Sequence, residues 1–179
     1  MDYIKLFDSI HPGFFQREDI RNKEEDEEYA ELVMDLHELP GEMKPVSCPE
    51  GITFGEYRGD PETVREAVRK VLPDWVPYYK EGARVFCALD GEKIASFCML
   101  EDMGTHDGIR VGGPGCVGTV PEYRKKGIGL EMVRLATEIF REEGYDLSWI
   151  HYTGVAHWYS KLGYRPVLRW NRSGFLPEA

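Results

Sequence analysis

Apolar residues along this chain repeat with two different periods, and the switches between them mark out its elements. Residues 52–58 read as a strand. Asp60-Pro61 then supplies a helix cap and a first-turn proline, followed by Val64, Ala67, Val68, Val71, Leu72 and Trp75 as an amphipathic stripe. Two apolar runs, 83–89 and 93–100, flank Asp90-Gly91, the dipeptide of a tight hairpin. A glycine-rich stretch leads into a strand over 116–120. Residues 127–143 repeat at helical spacing, with Met132, Val133, Leu135, Ala136, Ile139 and Phe140 on one side and Gly144 past the end. A strand over 147–152, a brief helix over 155–162 and a last strand over 164–170 follow. A hairpin beside helix-linked strands predicts a mixed α/β fold.

The first 48 residues read differently. The acid run Glu24-Glu25-Asp26-Glu27-Glu28 precedes Tyr29, Leu32, Val33 and Leu36 at helical spacing. Acids favour the positive end of a helix dipole, so the run predicts a solvated helix start, with Leu39-Pro40-Gly41 as its stop. The expected division is an N-terminal helical extension, 1–48, packed on a core domain at 49–179.

A chain of 179 residues makes one domain, or one with an extension, and can bury a core without a disulfide or metal staple. Asp plus Glu outnumber Lys plus Arg by 32 to 22, a formal charge of −10, which argues against broad attraction to nucleic acid or anionic membrane. The start, MDYIKLFDSIHPG, lacks a basic n-region and a continuous apolar stretch, and no apolar run approaches a membrane span. A cytoplasmic protein is expected. Cys48, Cys87, Cys98 and Cys116 show no C-x-x-C spacing and read as reduced, mostly buried thiols, with no metal site.

Two segments bear on chemistry. Gly113-Pro114-Gly115-Cys116-Val117-Gly118 spells G-x-G-x-x-G, but it leads into a strand where a dinucleotide fingerprint must open a helix. It reads as a bend or bulge. The stretch from Val117 to Leu130 does join a strand to a helix. Two glycines at that turn, 127 and 129, let main-chain N–H groups face outward, and Arg124, Lys125 and Lys126 add positive charge beside a helix start. The natural guest is a phosphate or diphosphate.

The pattern R-x-x-G-x-G at Arg124–Gly129, after Val120-Pro121-Glu122-Tyr123, is joined downstream by Trp158-Tyr159-Ser160-Lys161-Leu162-Gly163-Tyr164. Together they resemble the GNAT superfamily of N-acetyltransferases, over about residues 52–170 in element order. The resemblance implies a mixed, mainly antiparallel sheet flanked by helices, and acetyl-CoA as co-substrate. It implies that Val117, Gly118 and Thr119 hold the pantetheine arm and that Arg124, Lys125, Lys126, Gly127, Ile128, Gly129 and Leu130 cradle the diphosphate. It gives Tyr159 the part of general acid at the thioester sulfur, and it places a strand-splaying bulge near Gly118. The family's asparagine ahead of that tyrosine is Tyr152 here.

Acetyl transfer to an amine needs a proton acceptor, because an amine of pKa near 10 is mostly protonated at neutral pH. The motif strand carries no carboxylate. Glu101 and Asp102, expected at a strand end, and His151 are the candidates, ahead of His106, Asp107 and His157. A nucleophilic Cys116 is the competing enzymatic reading, and a non-catalytic acyl-CoA-binding module the competing non-enzymatic one. The acceptor is expected to be a small-molecule or peptide amine, such as a polyamine, an aminoglycoside or a lysine side chain, held by loops at 73–82 and 101–112. Exposed strand ends and the extension leave room for a homodimer.

Overall fold

An apolar run can satisfy helical spacing and still become a strand when both of its faces are covered, and residues 29–35 do so. The computed structural model describes residues 1–177. In it the N-terminal segment forms helix α1 (Tyr3–Ile10), a short 3-10 turn at Phe14–Gln16 and helix α2 (Glu18–Arg21), and then strand β1 (Tyr29–Asp35), whose five central residues are all buried. The helix expected after the acid run is therefore corrected. Ala30, Leu32 and Met34 pack to one side and Val33 to the other, the alternation of a strand buried on both faces.

Strand β2 (Ile52–Glu56) is followed by helix α3 (Pro61–Arg69), where Asp60 accepts from the N–H of Glu62 and Val64, Ala67 and Val68 are buried. The helix stops short of Trp75 because Pro73 cannot continue it; residues Pro73–Tyr78 turn as a 3-10 helix. Strands β3 (Val85–Asp90) and β4 (Lys93–His106) form the expected hairpin, and β5 (Ile109–Thr119) pairs back along β4. Much of 101–112 is thus strand, where a loop was expected, and Glu101 and Asp102 lie within β4, short of its end. Helix α4 (Ile128–Glu142), strand β6 (Leu147–Thr153), helix α5 (Ala156–Ser160), strand β7 (Arg165–Asn171) and the short β8 (Gly174–Phe175) complete the order.

All eight strands join one sheet, β2-β3-β4-β5-β6-β1-β7-β8, antiparallel except for β5 against β6. The N-terminal strand therefore stands between β6 and β7. Helices α4 and α5 cover one face through Met132, Val133, Ala136, Phe140 and Tyr159, with Tyr164, between α5 and β7, in the same cluster. The other face is shared: α3 covers the β3–β4 side, and α1 with the aromatic turn after it covers the side of Trp149 and Trp170. Between β1 and β2 the chain crosses α4, where Glu138 accepts from Met43 N–H, Glu131 from Val46 N–H, and Arg134 donates to the Met43 carbonyl. No helix among the described residues is long and apolar enough to cross a membrane.

Candidate functional site

The parallel pairing of β5 with β6 is brief. It holds at Val111↔Leu147 and Gly112↔Ser148, and beyond those residues the strands part. The register between β4 and β5 also slips between Phe97↔Gly118 and Met99↔Gly115, which leaves one extra residue on β5. The bulge expected at Gly118 falls instead on Cys116 and its neighbour: Cys116 has φ +45°, and Tyr79 Oη donates to its carbonyl at 2.6 Å. Gly118 keeps its pairing, and its carbonyl accepts from the buried Ser96 hydroxyl at 2.7 Å.

At the end of β5 a cavity of about 690 Å³ opens against the start of α4. Its lining brings together Val117, Thr119, every residue from Arg124 to Leu130, and Tyr159. Of the residues assigned to the pantetheine and diphosphate, Gly118 alone does not line it. Tyr123, Val155, Trp158 and Lys161 line it as well. Among the described residues, no hydrogen bond uses the main-chain N–H of any residue from Lys125 to Leu130, and no side chain caps the helix. Glu131 is the first to bond backward, to the Gly127 carbonyl at 3.0 Å. Six consecutive residues with unused main-chain donors thus line a cavity at the positive end of a fifteen-residue helix. Arg124, Lys125 and Lys126 are exposed and form no ion pair among the described residues, and Arg124 Nε donates to the Thr119 carbonyl at 3.0 Å. The residues fit a diphosphate.

Tyr159 reaches the same cavity from α5, and its hydroxyl makes no hydrogen bond among the described residues. The ring is 6% exposed, and burial pushes its ionisation well above the ordinary tyrosine range. The group is therefore a phenol at neutral pH, able to donate a proton.

Glu101 and His151 do not line this cavity. Phe97, Met99 and Met103, alternate residues of β4 with Glu101, pack on the face away from α4, as does Trp149, two residues before His151. Gly115 sits beneath the Glu101 carboxyl, and a methyl group there would lie 2.4 Å from it. Burial raises the pKa of Glu101 and His151 opposes that rise, so the two groups sense each other. Glu101 pairs with Gly113, one residue past the last β5–β6 pair, and His151 lies three residues past Ser148 on β6. The remaining candidates are committed elsewhere: Asp102 to the Gly104 N–H, Asp107 to Lys5, and His106 to Ser9 and the Met103 carbonyl. His157 is exposed on α5. Burial pushes the Cys116 thiol up to about 12. Tyr152 packs edge-on against Tyr29 and Trp170, outside the cavity, so it does not stand in for the expected asparagine contact.

Glu31 was missed altogether. It is fully buried and touches His151 Nδ1 at 2.9 Å. The one signal in the sequence was a lone acid inside the apolar run Ala30-Glu31-Leu32-Val33-Met34. No group of histidine, cysteine and acidic residues suited to a metal occurs among the described residues.

Residues 81–166 match the family model described as Acetyltransferase (GNAT) domain. No curated protein matches the chain by sequence. Among solved structures it is similar to the GCN5-related glucosamine N-acetyltransferase region of a fungal multi-domain GH3 beta-N-acetylglucosaminidase, with 21% identity and a TM-score of 0.64 over 81% of this chain and 20% of that one. It is also similar to a GCN5-related N-acetyltransferase from Sphaerobacter thermophilus (18% identity, TM-score 0.59, 79% of this chain and 49% of that one). A third such structure, from Kribbella flavida, has 22% identity and a TM-score of 0.56 over 79% of this chain and 55% of that one. These likenesses are of fold, and the chain spans between 20% and 55% of the length of those three chains.

Proposed function

Because this chain carries a GNAT acetyltransferase domain, we propose that it moves an acetyl group from acetyl-CoA to a primary amine by direct transfer within a ternary complex. The observation that carries this reading is the run of six unused N–H groups from Lys125 to Leu130, opening on a cavity that continues to Tyr159. Main-chain donors and a helix start offer a diphosphate several hydrogen bonds at once, and three unpaired cations add long-range attraction. Acetyl-CoA, when bound, supplies an activated acyl group as a thioester.

The chain's residues divide the remaining work. Thr119 and Val117 border the cavity where the pantetheine arm would run, and the bulge at Cys116 keeps β5 away from β6. Tyr159 holds a proton for the departing sulfur. Glu101 and His151 meet the amine from the opposite face and supply the proton acceptor. Cys116 does not enter as a nucleophile, since a thiol titrating at about 12 yields almost no thiolate at neutral pH.

The test is calorimetric titration with acetyl-CoA, followed by release of the CoA thiol over a panel of primary amines. The panel holds glucosamine, spermidine, an aminoglycoside and a lysine peptide. Binding with transfer to one of them supports the proposal. Binding without transfer to any amine replaces it with an acyl-CoA-binding module, and no binding removes both readings.

A further inference from the structure

Glu31 places a carboxyl at zero exposure inside the sheet, away from the cofactor cavity. Its Oε1 accepts from Trp170 Nε1 at 2.8 Å and from the Tyr152 N–H at 3.1 Å. Its Oε2 accepts from Trp149 Nε1 at 2.7 Å and meets His151 Nδ1 at 2.9 Å. The indoles and the amide are donors only and occupy acceptor positions on both carboxyl oxygens, which favours His151 Nδ1 as the donor to Oε2. The lone pair then belongs to Nε2, which makes no hydrogen bond among the described residues, on a side chain that is 21% exposed.

We infer that Glu31 is a positioning residue: it fixes His151 as the Nδ1–H tautomer and makes His151 Nε2 the acceptor of the amine proton. The inference rests on the acyltransferase reading above and chooses between the two candidate bases. In the step, the amine lone pair forms a C–N bond to the thioester carbonyl carbon and the C–S bond breaks. The amine proton passes to His151 Nε2, and the sulfur takes a proton from the Tyr159 hydroxyl. Solvent exchange then returns both residues to their starting states, leaving an amide and a free thiol. Glu101, buried beside the gap, is left to orient the incoming amine.

The groups that face His151 are few. Glu31 comes from β1, and Glu101 senses it from β4. His11, just after α1, stacks on it with ring centroids 3.9 Å apart and is itself held uncharged, its pKa lowered to about 3 by burial first and by His151, Arg17 and His106. Phe7, Phe14 and Tyr152 supply uncharged rings around it. Among the described residues the one carboxylate in contact with the ring is therefore Glu31.

Glu31→Gln keeps an acceptor oxygen for one of the two indoles, sets its NH2 against the other, and removes the second carboxylate oxygen. Two-bond ¹H–¹⁵N NMR spectra of the imidazoles, with His151 assigned through His151→Gln, read the tautomer without any acceptor amine. The expected result is Nδ1–H in the wild type and loss of that fixed tautomer in Glu31→Gln. An Nε2–H tautomer in the wild type, or an unchanged tautomer in Glu31→Gln, overturns the inference. With the best amine of the panel, kcat should fall in Glu31→Gln while the KM for acetyl-CoA stays put. Glu31→Gln should also cost nothing further in a His151→Gln background; additive losses overturn the inference. If Glu31→Gln does not fold, His151→Gln decides alone, and wild-type kcat in that variant overturns the inference while leaving the transferase reading intact. Absence of transfer by the wild type to every amine overturns the transferase reading and this step with it.

Discussion

Gly127 is where the cofactor turn is most exposed to a single added carbon. It precedes α4 at φ +79°, ψ −9°, and a Cβ built there lies 2.1 Å from the carbonyl oxygen of Ser47. The left-handed conformation alone costs an L-residue about 1–2 kcal/mol. The contact adds more, because the opposing atom is main chain and its segment is tied to α4: Glu131 accepts from Val46 N–H at 2.7 Å and Glu138 from Met43 N–H at 2.6 Å. That segment cannot retreat by more than an ångström without breaking those bonds, so Gly127→Ala forces the turn to rotate and swings its N–H groups off the diphosphate. A hydrogen bond to a charged group contributes about 1.5–3 kcal/mol, so misaligning one lowers CoA affinity by about ten- to a hundredfold. Calorimetric titration with CoA measures it, with ADP as a second probe that retains the diphosphate. Gly55→Ala, at a strand position where nothing lies within 4 Å of the added carbon, is the control. A folded Gly127→Ala protein that binds CoA within about twofold of wild type would refute the placement of the diphosphate on this turn.

Three further outcomes follow from burial and charge. Tyr159→Phe should lower kcat by on the order of a hundredfold with acetyl-CoA affinity unchanged, since it removes a proton donor and little surface; equal kcat in stopped-flow thiol release would exclude Tyr159 from the chemistry. Cys116→Ala should retain turnover, because its thiol is held protonated up to about 12; loss of all activity with CoA binding intact would restore a covalent route. His11 is depressed from 6.5 to about 3, chiefly by burial, so the unfolded chain takes up this proton and the folded one does not as pH falls across that window. Stability should therefore be full above about 6.5 and decline toward 3, and His11→Phe, which keeps the ring, should flatten that decline in thermal melts between pH 7 and 4. An identical slope in the variant would show that other groups control it.

How much of this was legible in the sequence depended on how local each feature is. The hairpin at Asp90-Gly91, the capped helix after Asp60 and the long helix with Gly144 at its end formed as read, because each is decided within one or two turns of chain. The turn of unbonded amides at the start of α4 was legible for the same reason: helix-start amides are consecutive residues. The run from Tyr29 to Leu36 misled because a strand covered on both faces is continuously apolar, and its residues also satisfy i, i+3, i+4 and i+7. The glycines from 113 to 118 read as a bend or bulge; they continue β5 with a bulge at Cys116, and Gly115 is bare because the Glu101 carboxyl occupies the space a side chain would need. Nothing adjacent in sequence announces that neighbour.

The same distinction separates the two sides of the transfer site. On the α4 side one contiguous segment, from Thr119 to Leu130, provides the main-chain donors and most of the charge, joined by Val117 and by Val155, Trp158, Tyr159 and Lys161 from α5 and its flanks. On the opposite side Glu101, His151, Glu31 and His11 come from four separate elements, and Glu31 lies 120 residues from His151. Their meeting depends on β1 standing between β6 and β7, since only that order sets Glu31 beside both Trp149 and Trp170. The arrangement binds structure to chemistry: without β1 two indole N–H groups lose their acceptor inside the core, at about 1–3 kcal/mol each, and His151 loses its charged partner. Residues 29–35 are thus as much a part of the proposed catalytic face as the strands that carry Glu101 and His151, although in sequence they lie far outside the segment that carries the unbonded amides.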